Sequence, residues 1–363
     1  MESIFFTGFP GFLGVELLPK VLKRFSSDTK AYCLIQKKYM AYAKKKMREI
    51  ENNNHDYKDR IKLVEGDITL NDLGLGKASH IKGSTVEIYH LAAVYDLSVS
   101  KELAERVNVT GTKNVLEFAS RCKKLKRFQY VSTCYVSGNY NGLFRENDLD
   151  VGQKFHNHYE ETKFRAELLV REAESNGLPT TIYRPSIVMG DSTTGETQKY
   201  DGPYYVIQWL LRLPKVFIFP DLAMGKRYRF NMIPRDFLVD AIAYLSGEEK
   251  SQGKIYQLCD PRPMKVGMLV DVLGKATGRK LFKIPLPAFL AKWAVNNVKP
   301  LGDWIRIPAD SMDYFSAPML YSAENMIVDL KGSGISCPPF VTYVDNLVSY
   351  MKEHGEISSR PMV

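Results

Sequence analysis

The sequence has few cysteines and no paired cysteine motif. The five cysteines in 363 residues never form a C-x-x-C arrangement; they are Cys33, Cys122, Cys134, Cys259 and Cys337. This odd, scattered set argues against a disulfide framework and against a zinc site, so no metal is expected. Free thiols are typical of a reducing compartment, which predicts a cytoplasmic location.

Long hydrophobic runs are also lacking. A membrane span needs about 18 consecutive apolar residues, but Arg212 and Lys215 interrupt the stretch 205–220, and Lys292 interrupts 284–298. These stretches fit a buried core or pocket wall, or contact with a membrane surface, so peripheral membrane contact stays open. No secretory signal pattern precedes the first apolar run either.

Motifs for nucleic-acid binding are missing although the chain is basic. Its 50 Lys and Arg against 41 Asp and Glu give a net charge of +9, which suits nucleotides, coenzyme A or anionic membranes as partners. No zinc-finger, RNA-recognition or heptad pattern accompanies this charge, so no nucleic-acid partner is expected. The oligomeric state is left open.

Short apolar runs alternate with amphipathic helical patterns over the first half of the chain. The strand-like runs are 3–8, 31–36, 61–67, 86–93, 127–133 and 180–190, and the helical patterns are 13–25, 38–51, 73–81, 101–121 and 158–176. This repetition predicts an α/β fold, a Rossmann-type doubly wound parallel sheet with helices on both faces.

Beyond residue 190 the pattern becomes less regular and mostly helical. A polar loop is followed by helical patterns near 203–212, 234–247, 264–277 and 339–353. We therefore expect a dinucleotide-binding domain over 1–190 and a smaller substrate-binding cap over 191–363. A segment of the cap, about 230–260, is expected to return to the main sheet.

The segment TGFPGFLG follows the first strand and opens the first helix. Its glycines, Gly8, Gly11 and Gly14, permit a tight turn, a close approach of the pyrophosphate to the backbone, and close helix–strand packing. The helix N-terminus supplies N–H donors and a dipole that favour phosphate. The segment therefore predicts a dinucleotide site.

The end of the second strand lacks the acid that holds the ribose of NAD. Gln36, Lys37 and Lys38 stand there, and no acid occurs before Glu49. Lysines attract a 2′-phosphate, so NADP(H) is favoured over NAD. The alternative is that these lysines only form the solvated face of a helix.

Tyr159 and Lys163 lie at i and i+4 on one helix face, where a lysine ammonium can stabilise a phenolate. Tyr42 and Lys46 have the same spacing, but they lie on a lysine-rich helix away from the converging strand ends. The fifth strand ends in a run of hydroxyl residues that includes Thr133, at the sheet edge where ligands bind. Thr133 can orient a carbonyl beside Tyr159.

These motifs together resemble the extended short-chain dehydrogenase/reductases. The matching segments, in the family's order, are TGFPGFLG, GDIT (66–69), HLAA (90–93), NVTGTKNVL (108–116), VSTCYVSG (131–138), Tyr159-x-x-x-Lys163 and YRPSIVMG (183–190). The resemblance implies that Thr133, Tyr159 and Lys163 are catalytic. It also implies a cofactor site made of Gly8, Gly11, Phe12, Leu13, Gly14, Gln36, Lys37, Lys38, Asp67, Ile68, Ala92, Tyr159, Lys163, Pro185 and Ile187.

Within this superfamily, GFLG, HLAAVYDL and YEETKFRAE are most similar to the fatty acyl reductase and thioester reductase branch, whose cofactor domain is male-sterility-like. This implies NADPH-dependent reduction of an acyl thioester or a hydrophobic aldehyde or ketone, with an acyl carrier protein as a possible partner. That branch usually has arginine where Gln36 stands, so binding of a 2′-phosphate rests on Lys37 or Lys38.

Other functions share the core motifs. A sugar-nucleotide epimerase or dehydratase and a hydroxysteroid-type dehydrogenase are enzymatic alternatives, and a non-catalytic NADP-sensing protein is an alternative of another class. Aromatic and methionine residues of the cap fit either ordinary core or the wall of an acyl site. The expected substrate pocket opens toward Thr133 and Tyr159 and comprises Tyr95, Tyr204, Tyr205, Trp209, Met224 and Phe230.

Three histidines and one cysteine near these motifs are expected to have structural roles and no part in catalysis. His90 is expected to pack the turn after the fourth strand, and His156 and His158 to be surface residues. Cys134 follows Thr133 but has no visible activating partner, so a thioester-forming nucleophile is not expected.

Overall fold

The computed structural model describes residues 2–95, 99–222, 228–299 and 319–358, together with Ile305, Ile307 and Tyr314. Its strands in chain order are β1 (Ser3–Thr7), β2 (Lys30–Ile35), β3 (Ile61–Glu65), β4 (Thr85–His90), β5 (Arg127–Val131), β6 (Leu143–Phe144), β7 (Thr180–Pro185), β8 (Ile187–Met189), β9 (Val216–Asp221), β10 (Arg229–Phe230), β11 (Met232–Pro234), β12 (Ile255–Leu258), β13 (Met264–Lys265), β14 (Lys280–Pro285) and β15 (Leu320–Tyr321).

The helices within the same residues are α1 (Gly14–Leu22), α2 (Met40–Asn53), α3 (Lys101–Ala104), α4 (Gly111–Ser120), α5 (His158–Ser175), α6 (Pro203–Arg212), α7 (Arg235–Leu245), α8 (Val266–Ala276), α9 (Ala288–Asn297), α10 (Glu324–Asp329) and α11 (Val344–Glu353). A π-helical turn, Glu105–Thr110, joins α3 to α4.

Seven parallel strands form the central sheet in the order β12-β7-β5-β4-β1-β2-β3. The strands are apolar along most of their length because both faces of the sheet are covered by helices. Helices α1, α2 and α7 pack into one core cluster, and α4 and α5 contribute to another on the opposite face. The predicted doubly wound Rossmann architecture is confirmed.

The chain reverses its winding direction between β1 and β4, which are neighbours in the sheet. In open α/β sheets ligands bind in the crevice at the carboxyl ends of the strands, at this switch point. The glycine turn follows β1 and HLAA follows β4, so the fold places both predicted cofactor segments at the same crevice.

The C-terminal part builds its own apolar cluster from α6, α8, α11 and the two-stranded parallel sheet β9–β14. Two elements between residues 230 and 260 return to the central sheet: β12 pairs with β7, and α7 packs against α1. The domain boundary near residue 190 stays a prediction.

Candidate active site

The turn after β1 and the segment after β4 lie in direct contact. Gly8 has a φ of +91°, which an L side chain rarely adopts, and a Cβ there would lie 2.9 Å from the backbone nitrogen of Ala92. The Thr7 hydroxyl accepts a hydrogen bond from that nitrogen at 3.2 Å. Glycine at position 8 is thus required by the close approach of two strand ends.

The remaining glycines allow the turn to fold tightly under the start of α1. A Cβ on Gly11 or Gly14 would lie 2.8 or 2.6 Å from the Gly8 carbonyl oxygen. Phe12 and Leu13 lie between them, directly before α1, where the first N–H groups of a helix have no intrahelical acceptor. The side-chain-free backbone of this turn and the N–H groups and dipole at the start of α1 fit a dinucleotide pyrophosphate.

Arg235 lies against this turn, and the sequence analysis missed it. Its guanidinium carbon is 5.1 Å from the centre of the Phe12 ring, and its side chain is almost completely buried. It lies within 4.0 Å of the carboxylates of Glu16, Asp191 and Glu196. No motif marked it because its neighbours come from two distant parts of the chain.

The expected adenosine side of the site lies at the ends of β2 and β3. The Gln36 amide donates to Asp67 at 2.9 Å, so these two predicted residues lie together. Ile68 is buried, and its carbonyl accepts from Asn114 at 2.7 Å. Lys37 and Lys38 are exposed on a short 3-10 turn, where their ammonium groups can reach an anion in solvent.

Thr133 and Tyr159 form the expected proton-donating centre. Thr133 follows β5, Tyr159 lies in the first turn of α5, and both side chains are buried. Burial raises the pKa of the Tyr159 phenol, and its hydrogen bond with Thr133 acts in the opposite direction. Burial alone makes the phenol a weaker acid, so proton donation at neutral pH depends on groups that lower its pKa again, such as the Thr133 hydroxyl.

Lys163 is buried one helical turn beyond Tyr159, but its hydrogen bonds lead elsewhere. The ammonium donates to the Tyr130 hydroxyl at 3.0 Å and to the Val131 carbonyl at 2.9 Å. Burial lowers the pKa of Lys163 to about 7. A negative charge brought close to the amine would restore the ammonium form.

The segment after β7 closes the site from the other side. The Thr133 hydroxyl points to the Pro185 carbonyl at 3.5 Å, so Thr133 and Pro185 are neighbours. Ile187 is half-buried and begins β8. The structure therefore brings Gly8, Ala92, Thr133 and Pro185 to the carboxyl ends of four adjacent strands of the sheet.

Asn108 holds α5, the helix that carries Tyr159 and Lys163, against the segment after β4. Its side-chain oxygen accepts from the Val94 amide at 2.9 Å, and its side-chain nitrogen donates to the Thr162 hydroxyl at 3.0 Å. This buried amide ties the segment after β4 to α5 next to Lys163. The motif NVTGTKNVL includes Asn108, but only the fold shows which residues it contacts.

A buried ion pair lies beneath the same helix. Glu167 accepts from Arg184 at 2.6 Å and from the Ser132 hydroxyl at 2.6 Å, and both charged side chains are fully buried. Burial opposes ionisation, yet the Arg184 guanidinium holds the pKa of Glu167 below its usual range. Glu167 thus links α5 to Arg184 of β7 and to Ser132, the residue before Thr133.

The predicted pocket residues divide into two groups. Tyr95 is 38% exposed and packs edge-on against Tyr159, with ring centres 5.1 Å apart, and Tyr205 is half-buried. Tyr204, Trp209 and Phe230 belong to the buried cluster of the C-terminal part, and the Tyr204 hydroxyl accepts from the Gly190 amide. Met224 lies outside the described residues.

An apolar cavity of about 250 Å³ lies in the C-terminal part, between α6, α8, α9 and the β9–β14 sheet. Its lining is almost entirely aliphatic and aromatic and includes Val206, Trp209, Phe219, Leu273 and Ala294. Neither Thr133 nor Tyr159 is among the lining residues, although we expected such a pocket to open toward them. The first cavity residue on α6, Val206, directly follows Tyr205.

The structure gives the single polar residues local partners. Both ring nitrogens of His90 are hydrogen-bonded, to Thr7 and Thr112, and burial lowers its pKa to about 3. His156 pairs with Glu160, and the buried Cys134 thiol donates to the Arg184 carbonyl. Each of these side chains has a structural partner of its own.

Comparisons with known proteins agree with this geometry. A family model described as male sterility protein matches residues 6–242, nearly two-thirds of the chain. A linear gramicidin synthase of Brevibacillus parabrevis is 29% identical over 72% of this chain and 5% of its own length. Fatty acyl-CoA reductase 1 of Arabidopsis thaliana is 30% identical over 42% of this chain and 35% of its own length.

Among solved structures, the terminal R domain of the myxalamid PKS-NRPS pathway is 26% identical with a TM-score of 0.83, covering 98% of this chain and 91% of that one. The chain spans at most 34% of the length of the first curated relatives that it matches. The predicted family resemblance is confirmed. The chain belongs to the male sterility protein family and is an NAD(P)-dependent oxidoreductase of the extended short-chain dehydrogenase/reductase type.

Proposed function

We propose that this protein reduces the carbonyl of an acyl thioester, or of a hydrophobic aldehyde or ketone, with NADPH. The observation that supports the proposal is the hydrogen bond between the buried Thr133 and Tyr159 side chains, with the buried Lys163 one turn further along α5. The nicotinamide supplies a hydride when the cofactor is bound. Gly8, Gly11, Gly14 and the amides at the start of α1 would hold its pyrophosphate.

The protein's own residues supply the proton and the orientation of the substrate. Thr133 holds the carbonyl oxygen, and Tyr159 donates its phenolic proton to the oxygen as negative charge develops there. Lys163, the cation nearest to Tyr159 on α5, stabilises the resulting phenolate and holds the ribose. With a thioester, the first product is a hemithioacetal, which separates into an aldehyde and a thiol.

The cavity supports an apolar substrate over a sugar nucleotide. A diphosphate needs basic and polar contacts, whereas the cavity wall is made of side chains such as Leu273 and Val295. We propose that residues 191–363 act as the substrate cap and that this cavity takes the acyl chain. The thioester would come from coenzyme A or from a carrier protein.

A substrate comparison tests this proposal. Purified protein with NADPH should reduce acyl-coenzyme A, long-chain aldehydes or hydrophobic ketones and should leave sugar nucleotides unchanged. Ala294→Phe inserts a ring into the cavity and should raise the KM for long-chain substrates about tenfold or more, with short aldehydes unaffected. Ala41→Phe, on the exposed face of α2, is the matched control. Turnover of sugar nucleotides alone would overturn the proposal.

We further propose that Lys37 and Lys38 select NADPH by binding its 2′-phosphate. Replacing both by glutamine should weaken NADPH binding about tenfold and leave NADH binding nearly unchanged, because a charge-assisted contact contributes about 1.5–3 kcal/mol. Fluorescence titration of both cofactors measures this. Lys44 and Lys45, exposed on the helix that follows, provide a control pair of equal charge. Equal affinities of the unmodified protein for both cofactors would refute this assignment.

A further inference from the structure

The C-terminal part carries an exposed apolar surface on the outer side of the cavity wall. We use the term apolar face for two sets of exposed side chains, one on the outer side of the β9–β14 sheet and one on the exposed side of α9, which is separated from β14 by two residues. Its large hydrophobic members are all strongly exposed to solvent; they are Val216, Ile218, Phe282, Ile284, Phe289, Leu290 and Trp293.

The register of the two strands explains why one side of the sheet is exposed. Ile218 pairs with Phe282, and because side chains alternate along a strand, both point to the same side. They are 60% and 52% exposed. Phe217 and Phe219 line the cavity, and Ile218 borders it as well although most of its side chain is in water. The sheet is therefore apolar on both sides, and the side that carries Ile218 and Phe282 is the more exposed one.

Helix α9 also has apolar side chains both toward the cavity and toward solvent. Ala291, Ala294 and Val295 line the cavity. Phe289 and Trp293, four residues apart on another side of the helix, are 71% and 60% exposed. Two large, strongly exposed aromatic side chains at helical spacing form an apolar stripe, which in soluble proteins marks an interaction surface.

The segment that carries β14 and α9 is basic, although β9 ends in the acidic Asp221. Residues 279–299 contain no acidic residue and five basic ones: Arg279, Lys280, Lys283, Lys292 and Lys299. Lys283 pairs with Asp271 of α8. The Lys280 ammonium lies 5.5 Å from the centre of the Phe282 ring, so a cation is placed at the apolar surface itself. A partner must therefore accept apolar side chains and be negatively charged.

We propose that the apolar face docks the protein on an anionic lipid surface. Tryptophan and phenylalanine insert at the boundary between headgroups and acyl chains, and lysines around them bind anionic headgroups. A second copy of the chain would bring the same positive charge to the contact and be repelled. Among the described residues, none of the helices could span a bilayer.

Vesicle flotation tests this inference independently of the reductase chemistry. The full chain should bind vesicles of equal parts phosphatidylcholine and phosphatidylglycerol, bind phosphatidylcholine alone weakly, and be released by salt. Lys280→Glu combined with Lys299→Glu should reduce binding to the anionic vesicles at least about tenfold. Phe289→Ser combined with Trp293→Ser should reduce binding to both kinds of vesicle.

The controls are exposed residues outside the apolar face. Val328→Ser replaces a hydrophobic side chain of α10 that is 65% exposed, and Lys123→Glu reverses an exposed charge after α4. Neither should change vesicle binding, and the thermal unfolding of all variants should match that of the original chain. Equal binding to neutral and anionic vesicles would overturn the inference. So would the absence of vesicle binding together with a dimer of this chain that the apolar-face variants abolish.

Discussion

Tyr159→Phe should lower turnover by about 10²–10⁴-fold while cofactor affinity stays close to that of the original chain. The substitution removes only the phenolic hydroxyl, which we propose as the proton donor, and leaves the buried ring in contact with Tyr95. The glycine turn and Lys163, which we propose hold the cofactor, are unchanged. Steady-state rates together with cofactor titration measure both effects.

Tyr42→Phe is the matched control for this experiment. Tyr42 and Lys46 share the i, i+4 spacing on α2, and the Lys46 ammonium lies 5.9 Å from the Tyr42 ring centre. Lys46 is bound to Glu49, and this pair lies on the helix after β2, away from Thr133. Tyr42→Phe should therefore leave turnover unchanged. Retention of full activity by Tyr159→Phe would show that another group donates the proton.

Glu167→Ala should destabilise the protein by about 3–5 kcal/mol, because it leaves the fully buried Arg184 guanidinium without its countercharge. The Ser132 hydroxyl would lose its acceptor at the same time. Since Ser132 precedes Thr133, we expect activity at permissive temperature to fall as well. The midpoint of urea unfolding, compared between Glu167→Ala and the original chain, measures the loss of stability.

The ion pair between Arg165 and Glu105 provides a solvent-exposed control. Its side chains are 43% and 36% exposed, so water screens the pair, and such pairs contribute about 1 kcal/mol or less. Glu105→Gln should therefore shift the unfolding midpoint only slightly. A similar small shift for Glu167→Ala would mean that Arg184 finds another partner when Glu167 is removed.

The central sheet could be predicted largely from local pattern. Apolar runs such as 31–36 and 127–133 coincide with β2 and β5, because strands covered on both faces must be apolar along their length. In the C-terminal part the helices α6, α7, α8 and α11 were predicted, but the strands β9 and β14 were not. Strands β9 and β14 are 58 residues apart between Asp221 and Lys280, and no local period shows that they pair.

The chemical groups of the site were also visible as motifs, but their contacts were not. The spacing of Tyr159 and Lys163 places them on one helix face, yet the Lys163 ammonium donates to Tyr130 and Val131. Arg235 carried no signal of its own, and the motif that contains Asn108 did not show what this side chain contacts. Their importance comes from partners on other strands and helices, and a single sequence does not show those partners.

The sequence by itself determined the order of the main strands and helices over the first 190 residues, the glycine turn and the identity of the candidate catalytic groups. These features depend on spacing within about one strand–helix unit, where steric and hydrogen-bonding preferences are local. Only the tertiary structure decided which apolar side chains enclose a cavity and which remain in water. Phe219 and Phe282 have the same chemistry, but one is buried and the other exposed because the pairing of two distant strands turns them to opposite sides.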